Sequence, residues 1–249
     1  MPPRASEFAV FCALLVVLHA GAAGVLWVEG GSVSTPPAET ADPSADAETL
    51  LFAAAHNDAV LPMTSEIRLY HPANDTTVAR VGVAADPRAG RARLRVPDGY
   101  SSAPVPTEGA YVTPWGRWRR AGDDWTYDGS RHARFESTTS RIFFPTPGLA
   151  DRIRKRTSDD GTVTVRLDDA RTAPGPLSVA GDNATLTYRI AFDDGRPYVT
   201  NATARPATAD GLAATVERRR GADVRRPDTL PPVTAREIRD RLAAGGAVG

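Results

Sequence analysis

From Thr185 to Phe192 the chain places Leu186, Tyr188, Ile190 and Phe192 on one parity and Thr185, Thr187 and Arg189 on the other. Side chains of an extended strand point alternately to opposite faces, so this segment is a strand with one buried face and one wet face. The same period of two recurs along the chain. Residues 91–96 set Arg91, Arg93 and Arg95 against Ala92, Leu94 and Val96, and 162–168 carries Val163, Val165 and Leu167 on one side. A shorter strand is expected over 66–70. Over 76–84, Val78 lies on one face and Val81 and Val83 on the other, which predicts a bulge near Arg80. Turn chemistry separates these runs: Pro72-Ala73-Asn74-Asp75, Asp86-Pro87-Arg88-Ala89-Gly90, Asp159-Asp160-Gly161 and Asp193-Asp194-Gly195. The last of these joins 185–192 to 196–205 as a tight hairpin. Such patterning predicts an α+β domain that is mainly antiparallel β, its sheet curved and open or half-closed. Short helices flank it. Leu50, Leu51, Ala54 and Ala55 give 49–59 a helical spacing with Thr49 as cap, and Thr234 with Glu237 forms a capping box for 235–243. A third short helix is expected over 149–156, ending in Arg152, Arg154, Lys155 and Arg156, cations suited to a helix C-terminus.

The N-terminal part has a different solvent in view. Phe8–Val28 is a run of 21 residues without formal charge. At ~1.5 Å per residue it spans the roughly 30 Å of a bilayer core as a transmembrane helix. Arg4 precedes it, and Glu29, Glu39, Asp42, Asp46 and Glu48 come before the next basic residue, Arg68. That bias predicts the N-terminus in the cytoplasm and the rest of the chain outside. The triplet Ala20-Gly21-Ala22 leaves open a cleaved signal and a secreted protein. Against cleavage, the apolar run continues through Val25, Leu26, Trp27 and Val28. Residues 1–28 are therefore read as a membrane anchor, 29–48 as a Pro-, Ser- and acid-rich disordered linker, and 49–245 as an extracytoplasmic β-rich domain.

Composition narrows the chemistry. Cys12 is the single cysteine and lies in the apolar run, so no disulfide and no thiolate metal site staples the domain. The 30 basic and 30 acidic residues balance, which gives no field for nucleic acid. Nucleotide- and metal-binding signatures are missing, as are a nucleophile elbow and ligand spacing among His19, His56, His71 and His132. The chain is accordingly read as a non-enzyme without cofactor or metal. Asp124-x-Thr126-x-Asp128-Gly129 opens like a calcium loop but has Phe135 where the loop needs a bidentate Glu, so it is read as a turn. No feature fixes the oligomeric state.

The candidate binding residues cluster in one hairpin. Trp115, Trp118 and Trp125 are interleaved with Arg117 and Arg119, a mixture able to grip an anionic head group while the rings face an acyl chain. The same rings would serve equally as core, with the arginines solvated. Strand parity puts Trp118 apart from Trp115 and Trp125, so its role is expected to differ from theirs. Three of the four asparagines, Asn74, Asn183 and Asn201, head N-x-[ST] sequons and are candidate glycosylation sites. The basic stretch at 218–220 with Arg225 and Arg226 is a candidate for anionic head groups beside the anchor, or for solvated charge.

Gly109-Ala110-Tyr111-Val112, Gly122-Asp123-Asp124-Trp125-Thr126-Tyr127, and Tyr188-Arg189-Ile190 followed by Asp193-Asp194-Gly195-Arg196 resemble the LolA/LppX-type extracytoplasmic lipoprotein carriers, over roughly 49–226. Within that group the resemblance is to haloarchaeal membrane-anchored members, in keeping with a chain whose only lysine is Lys155 and whose aspartates outnumber its glutamates 21 to 9. The resemblance implies a half-barrel sheet and a lipid or other hydrophobic ligand held between sheet and helices. The lipobox of that group is missing. Alternatives to a carrier are a structural or interaction module of the envelope and, further off, a secreted hydrolase.

Overall fold

Ser65, Ile67 and Leu69 stand directly opposite Val83, Val81 and Ala79 on one neighbouring strand, and opposite Arg218, Val216 and Ala214 on the other. Around this pairing the alternating segments assemble into one open antiparallel sheet. The computed structural model describes residues 37–97, 109–113, 116–128, 152–158, 160–170 and 175–245. Among them are β1 (Met63–His71), β2 (Thr76–Asp86), β3 (Arg91–Arg95), β4 (Gly109–Thr113), β5 (Gly116–Ala121), β6 (Asp124–Asp128), β7 (Arg152–Thr157), β8 (Val163–Ala170), β9 (Ala184–Asp193), β10 (Arg196–Arg205) and β11 (Ala213–Arg220). The sheet order is β6-β5-β4-β3-β2-β1-β11-β10-β9-β8-β7. Two meanders thus meet where the first strand pairs with the last.

Two helices and one 3₁₀ turn complete the described fold: α1 (Ala47–Val60), the turn Gly175–Ala180, and α2 (Ala235–Gly245). The cap of α1 is Asp46 rather than Thr49. Its carboxylate accepts the Thr49 N–H at 2.9 Å, so the helix begins two residues earlier than its apolar spacing suggested. The α1 helix lies on one face of the sheet, mainly against β10, and buries Leu50, Leu51 and Ala54 there. That inner face carries Ile67, Leu69, Val81, Val83, Leu94, Ala110, Val163, Val165, Leu167, Leu186, Tyr188, Ile190, Ala202 and Val216, all buried in one cluster. Ahead of α1 the chain runs back along it. Asn57, fully buried, donates to the carbonyls of Glu39 and Pro197 at 2.8 and 2.9 Å and accepts from Glu39 N at 2.7 Å. Ala41 N donates to Gly195 O at 3.0 Å.

The Asp194-Gly195 turn has φ of 52° and 71°, the left-handed pair that a two-residue hairpin matching strand twist requires, and glycine accepts it without strain. The bulge expected near Arg80 is present: the register of the first hairpin shifts between Leu69 and Tyr70, at Val78, two residues before Arg80. Two expectations are corrected. Of the helix expected over 149–156, the described part, 152–156, is instead strand β7, paired along its length with β8. Asp124, Thr126 and Asp128 lie in strand β6 rather than in a turn. No helix among the described residues is long and apolar enough to cross a membrane, and Phe8–Val28 lies outside them.

Candidate functional site

The aromatic hairpin is built on β4, β5 and β6, where the sheet reverses its usual distribution of polarity. In β5 the inner face receives Arg117 and Arg119 and the outer face receives Trp118. The register fixes this: Val83 faces Leu94, Leu94 faces Ala110, and Ala110 faces Arg119, while Val112 faces Arg117. Both arginines are half-buried. The row one residue over runs Ala84, Arg93, Tyr111, Trp118, Tyr127 on the outer face.

Trp118 and Trp125 share that outer face, contrary to simple parity. Trp118 is opposite Tyr127 and Arg120 opposite Trp125, so the two-residue turn at Gly122-Asp123 inverts the parity between the strands. They differ in burial: Trp118 is 1% exposed, and Trp125 is half-buried. Trp115 lies outside the described residues. Gly116 supplies the room for Tyr127, because a Cβ there would stand 2.3 Å from the Tyr127 hydroxyl oxygen.

The cover over these rings comes from the C-terminal part of the chain. Val224 and Leu230 pack with Tyr111 and Trp118. The Arg226 guanidinium lies 5.5 Å from the Trp118 ring centre, pairs with the fully buried Glu237 at 2.9 Å and donates to Pro231 O at 2.7 Å. Tyr127 donates to Asp240 at 3.2 Å, and Trp125 Nε1 donates to Thr229 Oγ1 at 3.2 Å. Burial and the neighbouring Asp240 carboxylate hold the Tyr127 phenol above its ordinary range. The Thr234 cap of α2 is as expected, accepting from Glu237 N at 3.1 Å. The Glu237 carboxylate, however, bonds to Arg226. No sequence signal marked Arg226 and Glu237 as partners, since Glu237 read as half of a capping box and Arg226 as solvated or head-group-facing charge.

A second unanticipated pair lies beneath α1. Asp58 and Arg218 are bonded to each other with both side chains fully buried, and Arg218 Nε donates to Ser65 Oγ at 3.1 Å. Burial pushes Asp58 up to about 7 against the opposing charge of Arg218. Of the sequons, Asn74 and Asn183 are exposed in turns. Asn201 sits in β10, in a shallow outer-face groove of about 400 Å³ with Arg189, Thr200, Glu217 and Arg219. Among the described residues no group of His, Cys, Asp and Glu gathers at metal-binding distance. His56 is bonded to Pro37 O at 3.0 Å.

Among the described residues these features define an open antiparallel sheet of eleven strands, its inner face apolar except at Arg117 and Arg119 and at the buried Asp58–Arg218 pair, its outer face strapped over the Trp hairpin. The chain is similar in structure to LprF from Mycobacterium bovis, at 15% identity over 77% of this chain and 100% of that one, TM-score 0.45. It is similar also to an uncharacterized conserved protein from Thermus thermophilus (11% identity, 74% and 96%, TM-score 0.38). A third similar structure is the LolA superfamily protein NE2245 from Nitrosomonas europaea (11% identity, 74% and 96%, TM-score 0.28). No protein-family model and no curated protein matches the sequence.

Proposed function

We propose that this chain is a membrane-tethered domain, exposed outside the cytoplasm, that holds a lipid or other amphipathic anion on the inner face of its sheet. One juxtaposition carries the reading: the apolar strip Val83, Leu94, Ala110 runs directly into Arg119, with Val112 beside Arg117. An acyl chain laid along such a strip leaves water at a gain of roughly 25 cal/mol per Å². A carboxylate or phosphate at its end meets two guanidiniums, whose planar donors suit those oxygens. Among the described residues α1 packs mainly against β10, and the strip Val83, Leu94 and Ala110 is buried in the same apolar cluster as Leu50 and Ala54, so a bound chain would extend that cluster. Native mass spectrometry of the full chain extracted from membranes tests the reading. Bound lipid is expected, and Arg117→Gln with Arg119→Gln should weaken its retention about tenfold or more, the worth of one charge-assisted bond. A folded protein that carries no lipid would sink it.

That second outcome favours a structural or interaction module of the envelope. Its support is the filled core beneath α1, where Leu50, Ala54, Val163, Leu186, Tyr188 and Ile190 are all fully buried.

A further inference from the structure

The fold treats the three sequons unequally. Asn74-Asp75-Thr76 is exposed throughout at the β1–β2 connection, and only its last residue, Thr76, is in the ladder, opposite His71 at the end of the hairpin. Its amide oxygen accepts the Thr76 N–H at 3.1 Å, a bond that draws charge onto that oxygen. Arg68 clamps the turn from the strand, pairing with the Asp75 carboxylate at 3.0 Å and donating to its carbonyl at 2.8 Å. Asn183 is also exposed, but Ala184 is fully buried and paired with Ala170, and Thr185 is paired with Arg205. Asn201 is paired on both sides, with Arg189 and Glu217, and its amide oxygen accepts from Thr203 Oγ1 at 3.1 Å. A transferase must hold all three residues of a sequon in its groove. A tripeptide built into a ladder leaves it only by breaking backbone hydrogen bonds.

Position points the same way. Pro37 and Glu39 are held at His56 and Asn57, and Ala41 at Gly195, so the chain enters at the β9–β10 turn. The register from β9 through β11 to β1 puts Asn74 at the other end of the strands, about 30 Å away at ~3.3 Å per residue.

We propose that Asn74 is the sole N-glycan acceptor of the folded domain, at the end of the sheet remote from chain entry. In the transfer, Asn74 Nδ2 bonds to the anomeric carbon of a sugar carried on a lipid phosphate. The carbon–oxygen bond to phosphate breaks, its electron pair leaves with the phosphate, and an amide proton passes to a base of the transferase. Intact-mass and glycopeptide measurement on the full-length protein from the cells that encode it tests this. One glycan increment is expected, lost completely in Asn74→Gln and in Thr76→Val, and kept in Thr76→Ser, Asn183→Gln and Asn201→Gln. A sugar-free Asn74, or sugar on Asn183 or Asn201, overturns it. Protease added to intact cells reports separately whether the domain is outside. A digested but sugar-free domain overturns the acceptor alone, and a protected sugar-free one overturns the proposed location as well.

Discussion

Tyr188 puts a hydroxyl into the centre of the inner-face core, fully buried and without a hydrogen-bond partner among the described residues, and burial holds its phenol well above the ordinary range. A buried donor left unmatched costs about 1–3 kcal/mol. Tyr188→Phe keeps the ring and removes that cost, so the variant should unfold about 1 kcal/mol harder in urea with an unchanged slope. A loss of stability would mean that an ordered water satisfies the hydroxyl. The tryptophans give the opposite contrast. Trp118→Ala opens a cavity beneath Val224 and Leu230 and should cost about 3–5 kcal/mol. Trp125 is half-buried and holds one bond to Thr229, so Trp125→Ala should cost nearer ~1 kcal/mol in the same measurement. Equal losses would refute the distinction. At this scale the sequence was legible where polarity and burial agree, as in Leu186 and Ile190. It was not legible where they part, as in Glu237, Asp58 and Arg218, three charges that the fold buries.

Elements were readable to the degree that their two faces differ. β9 and β3 alternate apolar with polar residues, and one face of each is buried. β7 reads Arg-Ile-Arg-Lys-Arg-Thr, with cations on both faces, and no period emerges from it. Its place explains the composition: among the described strands β7 is an edge of the sheet, and repeated like charges there discourage pairing with another chain. The Lys155 ammonium also donates to Ala45 O, tying that edge to the start of α1. The segment from Ala222 to Asp240 was unreadable as a cover for the Trp hairpin. Its apolar contribution there is Val224, Leu230 and Ala222, and its hold is otherwise by Arg226, Thr229, Glu237 and Asp240. The hairpin itself was legible as a hairpin. Which face its rings occupy depended on turn length, which composition leaves open between two and more residues.

For the whole molecule, the pairing of β1 with β11 joins residues about 150 apart, and Asp58 and Arg218 sit over that junction together with Ser65 of β1. The Arg220 charge on β11 weakly opposes the rise at Asp58, and Arg220 is itself bonded to Asp193. Two desolvated charges at such a junction fix how α1 sits on the sheet rather than add much stability, because their desolvation offsets their attraction. Breaking the pair from one side, as in Arg218→Met, should cost about 3–5 kcal/mol, whereas Asp58→Leu with Arg218→Met should be neutral or more stable. The pair also sets a pH dependence. Asp58 is raised to about 7 in the fold, so the folded state binds its proton more tightly than the unfolded chain, where a carboxylate titrates near ~3.9. Its contribution is therefore complete below that value, is lost as pH rises through about 7, and is flat above. Urea unfolding across this range should show wild type losing stability with rising pH relative to Asp58→Asn. That loss is bounded by roughly 4 kcal/mol, at ~1.4 kcal/mol for each pKa unit. Parallel curves for the two proteins would mean that Asp58 stays ionised throughout, held by Arg218 more strongly than burial opposes it.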